Sequence, residues 1–132
     1  MKLRIISTGL ALSLLGLVSC VRQSVSAQTA LSSSELQRLL QENSPGFHLI
    51  DVRTPAEYAS GHIPGAINIP VDVIGENPPA AEKGDRIVVY CRSGARSGRA
   101  RQTLLGLGFT DVVNFGAVAN WKDTLVTGDK PE

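Results

Sequence analysis

One of the two cysteines, Cys91, lies in a sequence context that would activate its thiol. Before it, residues 86–90 contain the apolar run Ile-Val-Val-Tyr, which is typical of a central strand that is buried on both faces. After it come small residues and two arginines, Arg92 and Arg96. Cys91 is therefore expected where a strand ends and a tight loop begins, and sites in open α/β sheets form at the carboxyl ends of strands.

The loop after Cys91 has the composition of an anion-binding turn. A helix is predicted directly after it, so the N–H groups of the loop are expected to converge at the positive end of a helix dipole. Such a setting lowers the pKa of a cysteine from about 8.5 to about 7 or below, and a thiolate is a strong nucleophile. We therefore predict that Cys91 is a nucleophile. The residues predicted to bind its anionic substrate are Arg92, Ser93, Gly94, Ala95, Arg96 and Ser97.

The alternative for Cys91 is an inert core residue, because cysteine is among the residues most often buried. An inert cysteine requires neither the flanking arginines nor a ring of backbone donors, so the composition of the loop favours a reactive thiol. The other cysteine, Cys20, lies in the N-terminal segment and is expected to be lipidated or removed. Cys91 is therefore expected to have no disulfide partner within the mature chain.

The elements that must position this loop alternate between extended and helical patterns. Ser32 and Glu35 form the pattern of a capping box at the start of a short amphipathic helix. Helices are predicted over residues 33–41, 55–58 and 97–107, and strands over residues 47–52, 66–69, 86–90 and 112–115. This alternation predicts an α/β fold with a mostly parallel sheet, and the length of 132 residues predicts one domain, over residues 32–128.

The N-terminal segment has the features of a signal peptide. Lys2 and Arg4 precede an uncharged, largely apolar stretch over residues 5–18, which is short for a membrane span and has the length of a signal-peptide core. Residues 1–19 are therefore excluded from the domain. Residues 20–31 are mostly polar or small and show no periodicity, so they are expected to form a tether.

Two cleavage sites fit this segment. Residues 17–20, Leu-Val-Ser-Cys, resemble a bacterial lipobox, which implies cleavage before Cys20 and lipidation of that cysteine. Residues 25–27, Val-Ser-Ala, instead fit ordinary signal-peptidase cleavage after Ala27. The lipobox is favoured because it directly follows the apolar stretch, and a diacylated cysteine would anchor the protein to a membrane. Either site implies an exported bacterial protein that is periplasmic or lipid-anchored at the cell envelope.

The charge balance argues against some classes of function. The chain has 13 Lys or Arg against 12 Asp or Glu, a formal net charge of +1, so nothing global indicates binding to nucleic acid. His48 and His62 do not form a metal-spaced cluster with Cys91. No metal and no cofactor is therefore predicted, and the chain is expected to be a monomer.

Three segments together resemble the signatures of the rhodanese-like domain family. Residues 51–68, which begin Asp-Val-Arg and end Ala-Ile-Asn, are similar to the first signature, and residues 88–97 are similar to the active-site loop. Residues 107–116 and the later Trp121 resemble the closing stretch, although Ala117 stands where the family often has a second glycine. The resemblance covers most of the predicted domain, and it implies a mostly parallel five-stranded sheet flanked by helices on both faces.

The resemblance also implies an activity. Members of this family transfer a sulfane sulfur, often from thiosulfate, through a cysteine persulfide to cyanide or a thiol. By this resemblance Cys91 is the catalytic nucleophile, and the chain is a sulfurtransferase whose partners are a small anionic sulfur donor and a thiol or cyanide acceptor. Asp51, Arg53, Glu57 and His62 are expected to shape the loops around the site rather than to react.

Two other functions remain as alternatives. Cysteine-based phosphatases, and the rhodanese relatives that act on phosphate or arsenate, use a Cys-x5-Arg loop, whereas Cys91 and Arg96 form the shorter Cys-x4-Arg. A smaller ring of N–H groups suits one sulfur atom better than a tetrahedral oxyanion. The second alternative is a carrier or binding module that holds sulfur with little turnover, and the presence of both loop arginines argues against it.

Overall fold

The computed structural model describes residues 30–132. The predicted signal peptide, the lipidation of Cys20 and nearly all of the predicted tether lie outside the described residues. Within them, the helices are α1 (Ser33–Glu42), α2 (Pro55–Ser60) and α3 (Ala95–Gly106), with one turn of 3₁₀ helix at Val118–Asn120. The strands are β1 (Phe47–Asp51), β2 (Ile67–Asn68), β3 (Arg86–Cys91) and β4 (Asp111–Ala117).

The strands form one parallel sheet in the order β2-β1-β3-β4. The expectation of a parallel sheet is confirmed, but the expected fifth strand is not present among residues 30–132. The C-terminal segment contributes only an isolated antiparallel bridge between Val126 and His62, and this bridge does not extend into a ladder.

Helices cover both faces of the sheet, as expected. On one face, Ala100 and Leu104 of α3 pack with β3 residues that include Val89 and the buried Cys91. On the other face, Leu36 of α1 and Tyr58 of α2 pack with the alternate residues of β3 and its neighbours. Both faces of β3 are therefore buried, which explains its continuous apolar sequence. No helix in the described part of the chain is long and apolar enough to cross a membrane.

Local signals set most of the helix ends. The predicted capping box at Ser32 and Glu35 is present, and Thr54 and Glu57 form a second one at the start of α2. The helix α3 begins at Ala95, two residues before its predicted start, because Gly94 adopts a left-handed conformation that turns the chain directly into the helix. This earlier start places Ala95, Arg96 and Ser97 in the first turn of α3, beside the end of β3.

The strand β4 contains a bulge at its carboxyl end. Val89 of β3 pairs with Asn114, but the next residue, Tyr90, pairs with Gly116, so Phe115 is the extra residue of β4. Gly116 has φ +91°, a conformation that L side chains rarely adopt. Bulges are common next to active sites because they redirect nearby side chains, and this one lies opposite the end of β3.

Candidate active site

Cys91 is the last residue of β3, and its thiol lies under the loop that leads into α3. The residue is fully buried, and its Sγ accepts a hydrogen bond from the Gly94 N–H with an N···S distance of 3.0 Å. The hydroxyl of Ser97, which is also buried, lies 3.4 Å from the same sulfur. Cys91 is the free cysteine of the described chain. The predicted nucleophile therefore lies at the predicted place, the carboxyl end of a central strand.

Two opposing effects act on the acidity of Cys91. Burial raises the pKa of the thiol, because a charged sulfur is poorly solvated there. Hydrogen bonds from the Ser97 hydroxyl and from the N–H groups of Ser97, Ser93 and Gly94 outweigh this effect, and the pKa of Cys91 is lower than the ordinary value of a cysteine. The loop therefore favours the thiolate, which is the form that attacks electrophilic sulfur.

The hydroxyl of Ser97 has two acceptors within reach. Besides the sulfur of Cys91, its Oγ lies 3.1 Å from the carbonyl oxygen of Gly94. A hydroxyl has one hydrogen, so it donates to one of these acceptors at a time. We expect the hydroxyl to donate to the sulfur when that atom is charged, because hydrogen bonds to ionised acceptors are stronger.

The two loop arginines have different environments. Arg96 makes two hydrogen bonds to the carboxylate of Glu57 in α2, at 2.8 and 2.9 Å. Hydrogen bonds from Arg96 hold the pKa of Glu57 well below its usual range, so the pair is ionic at neutral pH. Arg92 is exposed, and its side chain makes no hydrogen bond or ion pair with any residue from 30 to 132. Arg92 is therefore available to an incoming anion, whereas Arg96 already has a counter-ion.

The remaining loop residues line the turn itself. Ser93 and Ala95 are exposed, and Gly94 between them is half-buried. Gly94 has φ +96°, and a Cβ added there would lie 3.3 Å from the Cα of Gly116 in β4. Only glycine fits this position without strain, because both the backbone conformation and the neighbouring backbone exclude a side chain.

A buried ion pair supports the sheet edge next to the site. The guanidinium of Arg53 bonds both carboxylate oxygens of Asp51 and donates to the carbonyl of Gly61 at 2.7 Å. The Tyr90 ring lies under this pair, with its centroid 5.8 Å from the Arg53 guanidinium carbon, and its hydroxyl accepts a hydrogen bond from the Ile63 N–H. These contacts join the segment after α2 to the end of β3, and they are the contacts of residues that shape a loop.

His62 is fully buried, and its ring contacts Tyr58 and backbone carbonyl groups. Its ring stacks on Tyr58 with a centroid distance of 3.7 Å. Its Nδ1 lies 2.9 Å from the carbonyl oxygen of Tyr58, and its Nε2 lies 3.0 Å from that of Lys130. Its backbone pairs with Val126. His62 therefore fastens the C-terminal segment to the domain, and nothing in its contacts assigns it a part in proton transfer at Cys91.

One residue of this region was not among those predicted from the sequence. Asn114 of β4 donates from its amide to the carbonyl oxygen of Gly94 and accepts from the N–H of Gly116. The pattern Asn-x-Gly at a strand end is typical of an asparagine that hydrogen-bonds its own backbone two residues on, and this signal could have identified the turn. It could not have identified the contact with Gly94, which depends on how the loop and β4 pack.

The chemistry available at this site is nucleophilic. No group of three or more His, Cys, Asp or Glu residues within residues 30–132 could hold a metal ion. The sulfur of Cys91 lies among N–H and O–H donors at the N-terminus of α3, and the next residue in the chain is the exposed Arg92. These donors can stabilise the Cys91 thiolate. When a second sulfur is attached to Cys91, they can stabilise the negative charge that this terminal sulfur carries.

Comparison with known proteins matches this architecture. Residues 32–124 match the model of the rhodanese-like domain family. The chain is 42% identical over 73 residues to thiosulfate sulfurtransferase PspE of Escherichia coli, a stretch that covers 54% of this chain and 70% of that protein. It is 34% identical over 128 residues to the mouse thiosulfate sulfurtransferase/rhodanese-like domain-containing protein 3, which covers 86% of this chain and 80% of the relative.

Solved structures resemble the fold as well. The human single-domain sulfurtransferase TSTD1 superposes with a TM-score of 0.64 at 30% identity, over 72% of this chain and 97% of that one. A rhodanese with anions from Escherichia coli superposes with a TM-score of 0.55 at 38% identity, over 62% of this chain and 99% of that one. The resemblance drawn from the sequence motifs is thus confirmed, and the chain belongs to the rhodanese-like domain family.

Proposed function

We propose that this protein is a sulfurtransferase of the thiosulfate sulfurtransferase type, with Cys91 as the residue that carries the sulfur. The observation that carries the proposal is the environment of the Cys91 Sγ, which accepts the Gly94 N–H at 3.0 Å and lies 3.4 Å from the Ser97 hydroxyl. Relatives named thiosulfate sulfurtransferase and thiosulfate:glutathione sulfurtransferase support this class of reaction.

The reaction has two steps that balance in atoms and charge. In the first, the Cys91 thiolate attacks the outer sulfur of thiosulfate, a bond forms between the two sulfurs, and the bond to the sulfonate breaks with release of sulfite. In the second, cyanide or a thiolate attacks the outer sulfur of the persulfide. Cys91 then leaves as a thiolate, and the product is thiocyanate or a new persulfide.

The loop suits both steps. The first N–H groups of a helix have no acceptor within the helix, so those of α3 are available to a sulfur atom bound on Cys91. The terminal sulfur of a persulfide is negatively charged at neutral pH and needs such donors in a buried site. The N–H groups of the loop are already oriented toward the sulfur. They therefore need no reorganisation when the negatively charged outer sulfur passes from thiosulfate to Cys91.

The cation that attracts the sulfur donor is Arg92 in this proposal. Its guanidinium is exposed and unpaired among the described residues, whereas the charge of Arg96 is compensated by Glu57 at 2.8 Å. Arg96 therefore serves to hold the first turn of α3 against α2, and Arg92 meets the anion. This division refines the expectation that both arginines bind substrate.

Mass spectrometry of the intact protein tests the proposal directly. Treatment with thiosulfate should add the mass of one sulfur atom to the parent chain, and cyanide should remove it as thiocyanate. The control is Cys91→Ser, which should take up no sulfur and form no thiocyanate. An unmodified parent chain, together with undiminished thiocyanate formation by Cys91→Ser, would overturn the proposal.

Turnover with excess donor separates a transferase from a carrier. A transferase should produce thiocyanate in many-fold excess over protein, at a steady rate. A carrier would react once and stop, and that result would favour the binding-module alternative. Release of phosphate from p-nitrophenyl phosphate at a comparable rate would instead favour the phosphatase alternative.

We also propose that the protein is exported and is held at the cell envelope by a lipid on Cys20. The support is the charged start, the apolar stretch over residues 5–18 and the lipobox-like residues 17–20. Labelling of cells with radioactive palmitate should mark the parent chain and leave Cys20→Ala unmarked. A parent chain without label would refute lipidation and leave ordinary cleavage after Ala27. A chain over residues 30–132, which keeps the Lys130 contact with His62, should run as a monomer in size-exclusion chromatography, and a dimer-sized peak would contradict that expectation.

A further inference from the structure

The side chain of Asn114 bridges the Cys91 loop and the bulge of β4. Its Nδ2 donates to the carbonyl oxygen of Gly94 at 3.3 Å, and its Oδ1 accepts the N–H of Gly116 at 2.9 Å. Gly94 is the residue whose own N–H contacts the sulfur of Cys91 at 3.0 Å. The Asn114 amide therefore connects β4 to the carbonyl of Gly94, and the N–H of the same residue contacts the sulfur.

The two partners of this amide fix its orientation and its identity. The carbonyl of Gly94 can only accept, and the N–H of Gly116 can only donate, so the amide must present its NH₂ to one and its oxygen to the other. Aspartate has no donor for Gly94, and an aliphatic side chain has neither group. The position therefore requires a short side chain that both donates and accepts, which asparagine provides.

The contact acts on a residue that is held under steric constraint. Gly94 has φ +96° and packs so closely on β4 that an added Cβ would lie 3.3 Å from the Cα of Gly116. Its carbonyl oxygen also accepts from the Gly98 N–H at 2.9 Å and from the Ser97 hydroxyl at 3.1 Å. When Ser97 donates to the sulfur instead, Asn114 and the helix N–H remain the two donors that hold this carbonyl.

We propose that Asn114 is a positioning residue that keeps the Gly94 N–H directed at the sulfur of Cys91 and so keeps that thiol acidic. The proposal rests on the proposed role of Cys91 as the sulfur carrier. Without Asn114, only the Gly98 N–H remains of the three donors to the Gly94 carbonyl whenever Ser97 turns its hydroxyl toward the thiolate, so the loop is less constrained and the Gly94 N–H can move away from the sulfur. The thiolate then loses a donor at the step in which it must be charged.

The test is the pH dependence of Cys91 alkylation by iodoacetamide, which reports the thiol pKa without any sulfur transfer. The Asn114→Ala variant should raise that pKa by about 0.5 to 1 unit, and its alkylation at neutral pH should be about three to ten times slower. The Asn114→Asp variant keeps the acceptor for Gly116, removes the donor to Gly94 and adds a negative charge, so it should raise the pKa as well.

Asn120→Ala is the matched control. The Asn120 amide donates to the Phe115 carbonyl at 3.0 Å, so it supports the same bulge, but it makes no hydrogen bond to the Cys91 loop among residues 30–132. This variant should keep the parent pKa of Cys91, and it should lose stability similar to that lost by the Asn114 variants. A urea titration of each variant before alkylation tests whether that variant is folded under the conditions of the assay.

The outcomes separate this proposal from the one on which it rests. A pKa shift in both Asn114 variants, absent in Asn120→Ala, supports positioning. A shift in Asn114→Asp alone would show only the effect of a new charge, and no shift in either folded variant would show a merely structural role; both results overturn the proposal. A shift in a chain that takes up no sulfur from thiosulfate would sink the role of Cys91 as carrier and leave the positioning intact.

Discussion

Two glycines of the same segment should respond in opposite directions to the same substitution. Gly94 directly precedes α3 with φ +96°, and its added Cβ would lie 3.3 Å from backbone. Gly98 lies inside α3, and its added Cβ would meet only the Nδ2 of Asn114, at the ordinary contact distance of 3.6 Å. Gly94→Ala should therefore destabilise the domain, and Gly98→Ala should stabilise it.

The magnitudes follow from the backbone conformation and the space at each site. An L-residue in the left-handed region costs about 1–2 kcal/mol, and the displacement of Gly116 adds to this. The reduced entropy of the unfolded chain offsets about 0.4–1 kcal/mol, so Gly94→Ala should lose about 1–2 kcal/mol net. Gly98→Ala avoids the strain and should gain up to about 1 kcal/mol, the difference in helix propensity between alanine and glycine.

Equilibrium unfolding in urea measures both effects. With a slope of about 1–2 kcal/mol per M, expected for a small domain, Gly94→Ala should lower the midpoint by about 1 M and Gly98→Ala should raise it by about 0.5 M. Gly94→Ala should also lose most of its sulfur transfer, since the residue whose N–H contacts Cys91 must move. Equal midpoints for the parent and Gly94→Ala would refute the argument that this position excludes a side chain.

Three further substitutions test the charges around the site. Arg92→Ala should raise the KM for thiosulfate by about tenfold with little change in kcat, because an exposed cation guides the anion without contacting the bond that breaks. Steady-state kinetics at two salt concentrations check this prediction. A change in kcat alone would contradict it. Glu57→Gln should lower stability by up to about 1 kcal/mol at pH 7, a modest loss because the pair with Arg96 is partly exposed. Folding depresses the pKa of Glu57, so its contribution to the free energy of unfolding is complete above the unfolded carboxyl pKa of about 4.3 and is lost as the pH falls toward the folded value. The difference in urea midpoint between the parent and Glu57→Gln should therefore shrink at pH 3. An undiminished difference would contradict this. Arg53→Leu should destabilise the domain by about 3–5 kcal/mol, since it leaves the buried Asp51 carboxylate without its cation, and a thermal melt close to that of the parent would contradict the role of this pair.

Much of this site could be predicted from the sequence because its signals are local. The continuous apolar run before Cys91 marks a buried strand, and the small residues after it mark a tight turn. The spacing of Ser32 and Glu35 marks the start of the first helix, and the structure contains that capping box. In each case the residues that carry the signal are also the residues that make the contact.

Other features depend on packing between distant segments. Glu57 and Arg96 are far apart in sequence, and only the juxtaposition of α2 and α3 brings their side chains to 2.8 Å. The early start of α3 depends on the conformation of Gly94, which packs closely against Gly116 of β4. No sequence pattern within the loop predicts this packing. The role of Asn114 could not be predicted for the same reason, since one of its partners lies in β4 and the other lies in a loop that is distant in sequence.

The fastening of His62 has a practical consequence for where the chain can be cut. The family match ends at residue 124, yet Val126 pairs with the backbone of His62, Gly128 donates to the carbonyl of Ala59, and the carbonyl of Lys130 reaches the buried imidazole. A chain ended at residue 124 would lose all of these bonds and open the imidazole to water. The effect would pass through the neighbouring Gly61 carbonyl to the ion pair at the sheet edge. An excised domain intended for assays should therefore keep the residues after position 124, although they lie outside the family match.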